Sequence, residues 1–255
     1  MYKVPFSEKH PLGFLVFLSP EELVTLDEYK EGDPYSLNEN MTNRFNRQRI
    51  NKTISLLRKI TKTGVEKKIL DLGCGQGHFT SIIKNELVDC DVIGLDYSLN
   101  AIISACQHYK NIEFIIADAN NLPFNDEYFD IIILNNIYEH FADPVRVLQN
   151  IRKVLKKNGS IIISTPNRYR LLNLLRVTIG IPVSFFSKNH VTEYSIGQIT
   201  EQLKFAKYEI SEIRTSSSNI FFLRFINTIF DLYLKLIKSY NSLNSTIFYL
   251  AIKKE

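Results

Sequence analysis

Three glycines in five residues, Gly73, Gly75 and Gly77, stand between an apolar run, Lys68-Ile69-Leu70-Asp71-Leu72, and a stretch from Phe79 to Leu87 that can continue as a helix. Glycine is wanted where the backbone turns with positive φ, or where a ligand must lie against the main chain with no Cβ between them. A buried strand, a glycine-rich turn and a helix make the crossover at which open α/β sheets bind ligands. The dinucleotide fingerprint G-x-G-x-x-G places its third glycine one residue later, where this chain has His78. Asp71 sharpens the contrast. A carboxylate pointed into the cradle repels a pyrophosphate and attracts a cationic amino group.

Further runs follow at intervals that fit the same architecture. Asp91-Val92-Ile93-Gly94-Leu95-Asp96 reads as a second buried strand ending in an acid, nineteen residues beyond Gly77, with a helix from Ser98 to His108 behind it. Asp96 and the adjoining Tyr97 are candidates for a ligand's ribose end; capping of the next helix is the competing role for the acid. Ile112 to Ala117 is a third strand, followed by Asp118 and Ala119 and by a turn at Asn120 to Phe124 in which Pro123 fixes φ. Tyr128 to Leu134 supplies a fourth strand, whose end carries Asn135, Asn136, Glu139 and His140. Val154 to Asn167 reads as a helix end, a glycine stop at Gly159 and a fifth strand. Tyr208 to Thr215 and Ser245 to Ile252 are candidates for two more. Alternating strands and helices with short connections imply a doubly wound parallel sheet.

The glycine pattern with Asp71, and the acids at positions 96 and 118, resemble the class I S-adenosylmethionine-dependent methyltransferases. The resemblance is detailed over about a hundred residues and looser over the rest. It implies a Rossmann-like, doubly wound α/β sheet of seven strands, mostly parallel with an antiparallel last strand. It further implies S-adenosylmethionine as the cofactor, held by Asp71, Gly73, Cys74, Gly75, Gly77, Asp96, Tyr97, Asp118, Ala119 and Asn135. His190 to Ile199 is similar to a segment of ubiquinone-precursor O-methyltransferases, which usually carry an acid where Gln198 stands.

Composition narrows the alternatives. At 255 residues and 45% hydrophobic, the chain can bury one sizeable core. The division read from the sequence is an N-terminal segment and helix over 1–62, which could fold over the cofactor as a lid, and a methyltransferase domain over 63–255 with insertions at about 168–190 and 220–244. A net charge of +4 is mild, and the basic clusters at Arg44, Arg47, Arg49 and Lys52 and at Arg168, Arg170 and Arg176 read as solvated faces, so no nucleic-acid partner is expected. Cys74, Cys90 and Cys106 lack metal or redox spacing, which suits a reducing, cytoplasm-like compartment. Leu12 to Leu18 is too short to span a membrane.

The substrate should be read from what lies outside the sheet pattern. In the helix from about Thr42 to Ile60, Phe45, Ile50, Ile54 and Leu57 share an apolar face. The connection over 168–190 is unusually apolar, and loops of that length usually have a function. Residues 220–238 form an amphipathic pattern with one narrow polar stripe, whose wide apolar face would cap the core, seam a homodimer or lie on a membrane. These features point to a small-molecule or lipid-linked acceptor. Methylation of a hydroxyl oxygen calls for a base, and His190 and His140 are the candidates. No metal is expected, because Asn135 and Asn136 stand where acids would be needed. An NAD(P)-dependent oxidoreductase and a non-catalytic S-adenosylmethionine-binding protein are the alternatives.

Overall fold

The computed structural model describes residues 1–26, 44–216 and 244–254. Nine strands form one sheet: β1 (Glu8–Lys9), β2 (Leu15–Val16), β3 (Lys68–Leu72), β4 (Asp91–Asp96), β5 (Glu113–Ile116), β6 (Phe129–Asn135), β7 (Leu155–Pro166), β8 (Tyr208–Ser216) and β9 (Thr246–Lys253). Their spatial order is β1-β2-β5-β4-β3-β6-β7-β9-β8. Strands β3 to β9 are the seven expected from the sequence, and β9 runs antiparallel to both its neighbours. The extra pair is an N-terminal hairpin of two-residue strands whose second arm lies parallel to β5, pairing Leu15 with Ile115. The apolar stretch around Leu12 to Leu18 is thus a sheet edge, with Phe14, Val16 and Leu18 buried against Ile102, Phe114 and Ile116.

Among the described residues seven α-helices flank the sheet: α1 (Pro20–Leu26), α2 (Arg44–Ile60), α3 (His78–Glu86), α4 (Leu99–His108), α5 (Pro144–Val154), α6 (Leu171–Thr178) and α7 (Ile196–Phe205). Consecutive residues of a strand point to opposite faces, and in the central strands both sets are apolar. Ile69, Ile131, Ile133 and Ile162 pack with Ile50, Ile54 and Leu57 of α2 and with Ile83 of α3. Leu70, Ile132, Leu134, Ile161 and Ile163 pack on the other face with Val147, Leu148 and Ile151 of α5 and with Ile199 and Leu203 of α7. Each such side chain contributes about 1.5–3 kcal/mol when fully buried, so neither face of the sheet can be left to water.

Two local expectations change. Helix α5 ends at Val154, and Leu155 already belongs to β7, where it is buried opposite Phe129. Gly159 is therefore no helix stop. It lies in an irregular start to β7, after Asn158 at φ 58°, and a Cβ on it would stand 2.8 Å from Leu155 Cγ. The apolar connection after β7 is partly ordered as α6. The amphipathic pattern at 220–238 lies outside the described residues. No helix among the described residues is long and apolar enough to cross a membrane.

Strand β3 sits between β4 on one side and β6 on the other, so the chain leaves it in one direction and later returns on the other. A crevice opens at such a switch point beyond the carboxyl ends of the strands. The residues at those ends are Leu72, Asp96 and Asn135.

Candidate active site

A cleft of about 220 Å³ occupies that crevice. Its floor is the turn after β3. Gly73 and Cys74 both donate from their backbone N–H groups to the carbonyl of Leu95, which pins the turn against β4. Gly75 adopts φ 52° and lines the cleft, and a Cβ there would meet no protein atom within 4 Å. Its missing side chain therefore clears space for a ligand. Gly77 is demanded by packing, since a Cβ would stand 2.6 Å from Phe114 Cζ.

Asp71 is 1% exposed at the cleft wall. Thr80 donates its hydroxyl to Asp71 Oδ2 at 2.7 Å. No donor among the described residues reaches Asp71 Oδ1. Burial pushes this carboxyl up to about 7; the Thr80 bond and the charge of Arg49 oppose the rise, while Asp96 adds to it. Asp96 accepts from Gly75 N at 2.8 Å through Oδ2 and from Ser98 N at 3.0 Å through Oδ1. Helix capping falls instead to Ser98, whose hydroxyl accepts from Ala101 N. Asp96 thus holds the glycine turn and the entry to α4 from the cleft wall.

At the other end of the cleft the wall is Asn135, Asn136, Ile137, Glu139 and His140, with His190 reaching in from the connection after α6. Asn136 takes a left-handed conformation at φ 57° and donates its N–H to the Ser164 carbonyl, while the Ser164 hydroxyl bonds both Asn135 and Asn136 side chains. Glu139 is fully buried and accepts from Thr165 Oγ1 at 2.9 Å through Oε2. Burial pushes its carboxyl up to about 7, against its own backbone N–H and the charges nearby. His190 Nε2 stands 3.9 Å from Glu139 Oε1, and the rings of His140 and His190 meet edge to face at 5.1 Å. The backbone fixes this meeting, because Val191 and Thr192 both donate to the Glu139 carbonyl.

The cleft brings together Asp71, Gly73, Cys74, Gly75, Asp96, Tyr97, Asn135, His140 and His190. Gly77 supports it from behind. Asp118 and Ala119 follow β5 at the same edge of the sheet without lining the cleft, and Asp118 Oδ1 closes a turn by accepting from both Asn120 N and Nδ2. The Cys74 thiol is pushed well above its usual range by burial, so it is no nucleophile. The expectation of no metal rested on Asn135 and Asn136 alone. The structure sets Glu139, His140 and His190 with their ligating atoms within 4.8 Å of one another, close enough to hold a cation.

Several residues of the site escaped the sequence. Asn46 and Arg49 of α2 line the cleft beside Ile50. Arg49 is half-buried, where a solvated face was expected, and Lys52 turns inward to donate to the Thr215 carbonyl at 2.7 Å. Asn46 had a signal in the periodicity, since positions 46, 50, 53 and 57 share one helix face. Arg170, also read as solvated, is 5% exposed and pairs with Glu193, which is fully buried.

The family profile described as a methyltransferase domain matches residues 64–218. A demethylmenaquinone methyltransferase of Thermotoga maritima is 38% identical over 97 residues, covering 38% of this chain and 42% of that protein. The phthiotriol/phenolphthiotriol dimycocerosates methyltransferase 1 of Mycobacterium ulcerans is 31% identical over 140 residues, covering 52% of this chain and 49% of that protein. The chain thus spans about half or less of the length of these curated relatives. The solved phosphoethanolamine N-methyltransferase 2 of Haemonchus contortus, in complex with S-adenosyl-L-methionine, shares the fold. Its TM-score is 0.55 at 15% identity, over 86% of this chain and 59% of that one.

Proposed function

The chain belongs to the class I S-adenosylmethionine-dependent methyltransferases, and from that premise we propose that it methylates a hydroxyl oxygen of a small-molecule or lipid-linked acceptor. The observation that carries the donor half is Asp71. A buried carboxylate oxygen without a donor, next to a glycine whose Cβ position opens onto the cleft, fits the cationic amino group of the donor's methionine portion. Arg49 lies where it can take that portion's carboxylate. Asp96 is proposed for the ribose diol, with Tyr97 at the adjoining wall. Asp118 and Ala119 are proposed for the adenine edge, and Asn135 for the methionine end. The α2 helix, supplying Asn46, Arg49 and Ile50, acts as the cover over the cofactor.

When bound, S-adenosylmethionine supplies a methyl group already activated by its sulfonium, so the protein has mainly to align the acceptor. Alignment of that kind is worth on the order of 7–11 kcal/mol in favourable cases. His190 is the proposed proton acceptor, with His140 beside it lining the acceptor end.

The acceptor class rests on the surface around this end. Leu172, Leu175, Val177, Ile179, Phe185 and Phe186 are all at least 39% exposed within one short connection. An apolar patch of this kind marks a binding site more often than idle surface. The names of two relatives, a demethylmenaquinone and a phthiotriol/phenolphthiotriol dimycocerosates methyltransferase, agree with an apolar acceptor. Peripheral membrane contact through 220–238 and a homodimer remain proposals of the sequence. The test is incubation with donor carrying a labelled methyl group and a lysate split into lipid, small-molecule and macromolecular pools. Label in the lipid or small-molecule pool is expected. Label confined to macromolecules would overturn the acceptor class, and donor binding with no label anywhere would favour a non-catalytic binding protein. Co-sedimentation with anionic and neutral vesicles tests the membrane contact, and absence of binding refutes it.

A further inference from the structure

We propose that Glu193, held by Arg170 and by the backbone N–H of Phe186, positions His190 as the proton acceptor by fixing the tautomer whose Nε2 lone pair faces the cleft. The inference rests on the proposed methyl transfer to a hydroxyl, and it assigns work to a buried charge network that cofactor binding does not use. Glu193 Oε1 lies 3.0 Å from His190 Nδ1. The same oxygen accepts from Phe186 N, and Oε2 accepts from Arg170 Nη1. Arg170 is itself locked, donating to the carbonyls of Asn167 and Ser184 and stacking on the Phe186 ring at 3.9 Å.

With an arginine, a backbone N–H and an imidazole converging on it, Glu193 is held below the ordinary carboxylate range despite its burial. It is therefore ionised, and an ionised carboxylate only accepts. Nδ1 must then carry the proton, which leaves Nε2 with a lone pair in the neutral ring. Nε2 points away from Glu193 toward Glu139 Oε1 at 3.9 Å, too long for a hydrogen bond. The groups facing this gap are Glu139, His140 and His190 on the cleft wall, and Arg49 lines the same cleft. An acceptor hydroxyl in the gap meets a lone pair on one side and a carboxyl group on the other. As its oxygen gains the methyl carbon, the sulfur keeps the electron pair of the bond it loses. The hydroxyl proton passes to Nε2, giving an imidazolium whose Nδ1–H still rests on Glu193. Water removes the Nε2 proton after product leaves. Glu193 touches no reacting atom in this scheme and is a positioning residue.

The test is nitrogen NMR of the histidine rings in the uniformly labelled full chain at alkaline pH, beside the same spectrum of Glu193→Gln. Wild type is expected to show His190 protonated at Nδ1 and bare at Nε2. The glutamine carboxamide carries no charge and has one oxygen for the donors of Arg170, Phe186 and His190, so the Nδ1–H tautomer loses its hold. Methyl incorporation into a total-lipid extract should then fall at least a hundredfold, the lower end of what a general base contributes. S-adenosylhomocysteine affinity by calorimetry should stay within threefold. An Nε2–H tautomer in wild type would overturn the proposal whether or not the variant folds, and so would methylation by the variant within threefold of wild type. Stoichiometric Co²⁺ that shifts both His140 and His190, with methylation dependent on added metal, would make these residues ligands and also overturn it. Loss of donor binding, or no methylation by wild type, would instead refute the proposed reaction and leave the tautomer measurement standing.

Discussion

Gly75 and Gly73 separate ligand space from packing space within one turn, and replacing each by alanine tests the whole assignment of the cleft. In Gly75→Ala the new Cβ meets no protein atom within 4 Å. The stability cost is then the left-handed backbone alone, about 1–2 kcal/mol for an L side chain. For a chain of this size that lowers the melting temperature by roughly 2–8 °C. The methyl group instead occupies the volume where the donor is proposed to lie against the main chain. Overpacking a tight contact costs about 1–3 kcal/mol, which weakens S-adenosylhomocysteine binding by roughly 5-fold to 150-fold. Gly73→Ala sets its Cβ 2.3 Å from Ile137 Cδ1, at a backbone φ of 76°. It should lose more stability than Gly75→Ala, because the clash is internal. Differential scanning fluorimetry of the ligand-free variants and calorimetry with S-adenosylhomocysteine give the two numbers for each. A folded Gly75→Ala protein that binds within twofold of wild type would refute the placement of the donor on this turn.

The carboxyl of Asp71 keeps its proton up to about pH 7 in the folded chain and loses it near 4 when unfolded. The native state therefore binds more protons across that window, and this group's contribution to stability falls as pH rises from about 4 to 7. Urea melts should show Asp71→Asn losing less stability than wild type between pH 5 and pH 8; Glu139, shifted the same way, keeps part of the slope in both proteins. S-adenosylhomocysteine should bind more tightly at pH 8 than at pH 6, while methylthioadenosine, which lacks the amino group, should show little such change; equal pH dependence in calorimetry would remove Asp71 from amine recognition. Arg170→Met leaves Glu193 buried without its guanidinium partner and should cost about 3–5 kcal/mol, read from the shift of a denaturant midpoint. Gln198 forms a capping box with Ser195, so Gln198→Glu should stay within about 0.5 kcal/mol of wild type on thermal melting, whereas Gln198→Ala should lose part of the roughly 1 kcal/mol a cap supplies.

The sheet was legible because its strands are apolar on both faces and end in chemistry. Ile131 to Leu134 admits only a strand covered on both sides, and the glycine turn tells which end of β3 bears the cleft. The acid at 96 was visible, and so was its competing structural use; the structure gives it hydrogen bonds to the Gly75 and Ser98 N–H groups and leaves capping to Ser98. The departure at Gln198 also resolves physically, since its side chain accepts from Ser195 N at 2.9 Å as a glutamate would. What stayed hidden depends on pairs distant in sequence. Arg170 reads as a surface cation until Glu193, twenty-three residues on, is brought against it. Arg49 reads likewise until α2 lies over a turn that begins at Gly73. The N-terminal hairpin was missed because two-residue strands carry no periodicity.

The electrostatics of the cleft tie these long-range pairs to its use. Asp71, Asp96 and Glu139 line one cavity, and Arg49 is the permanent cation on its wall among the described residues. Burial in this partly dry site penalises ionised carboxylates, and two of the three acids respond by holding protons to about pH 7. Arg170 cannot help, because Glu193 and two carbonyls already claim it. The cavity is therefore poised for a ligand that brings positive charge to Asp71 and negative charge to Arg49, which is the pattern of an amino acid zwitterion. Glu139 lines the same cavity and keeps its raised affinity for a proton. A hydroxyl acceptor sits between Glu139 and His190 in the proposed reaction, so the charge that the donor cannot neutralise falls where a proton has to be handled.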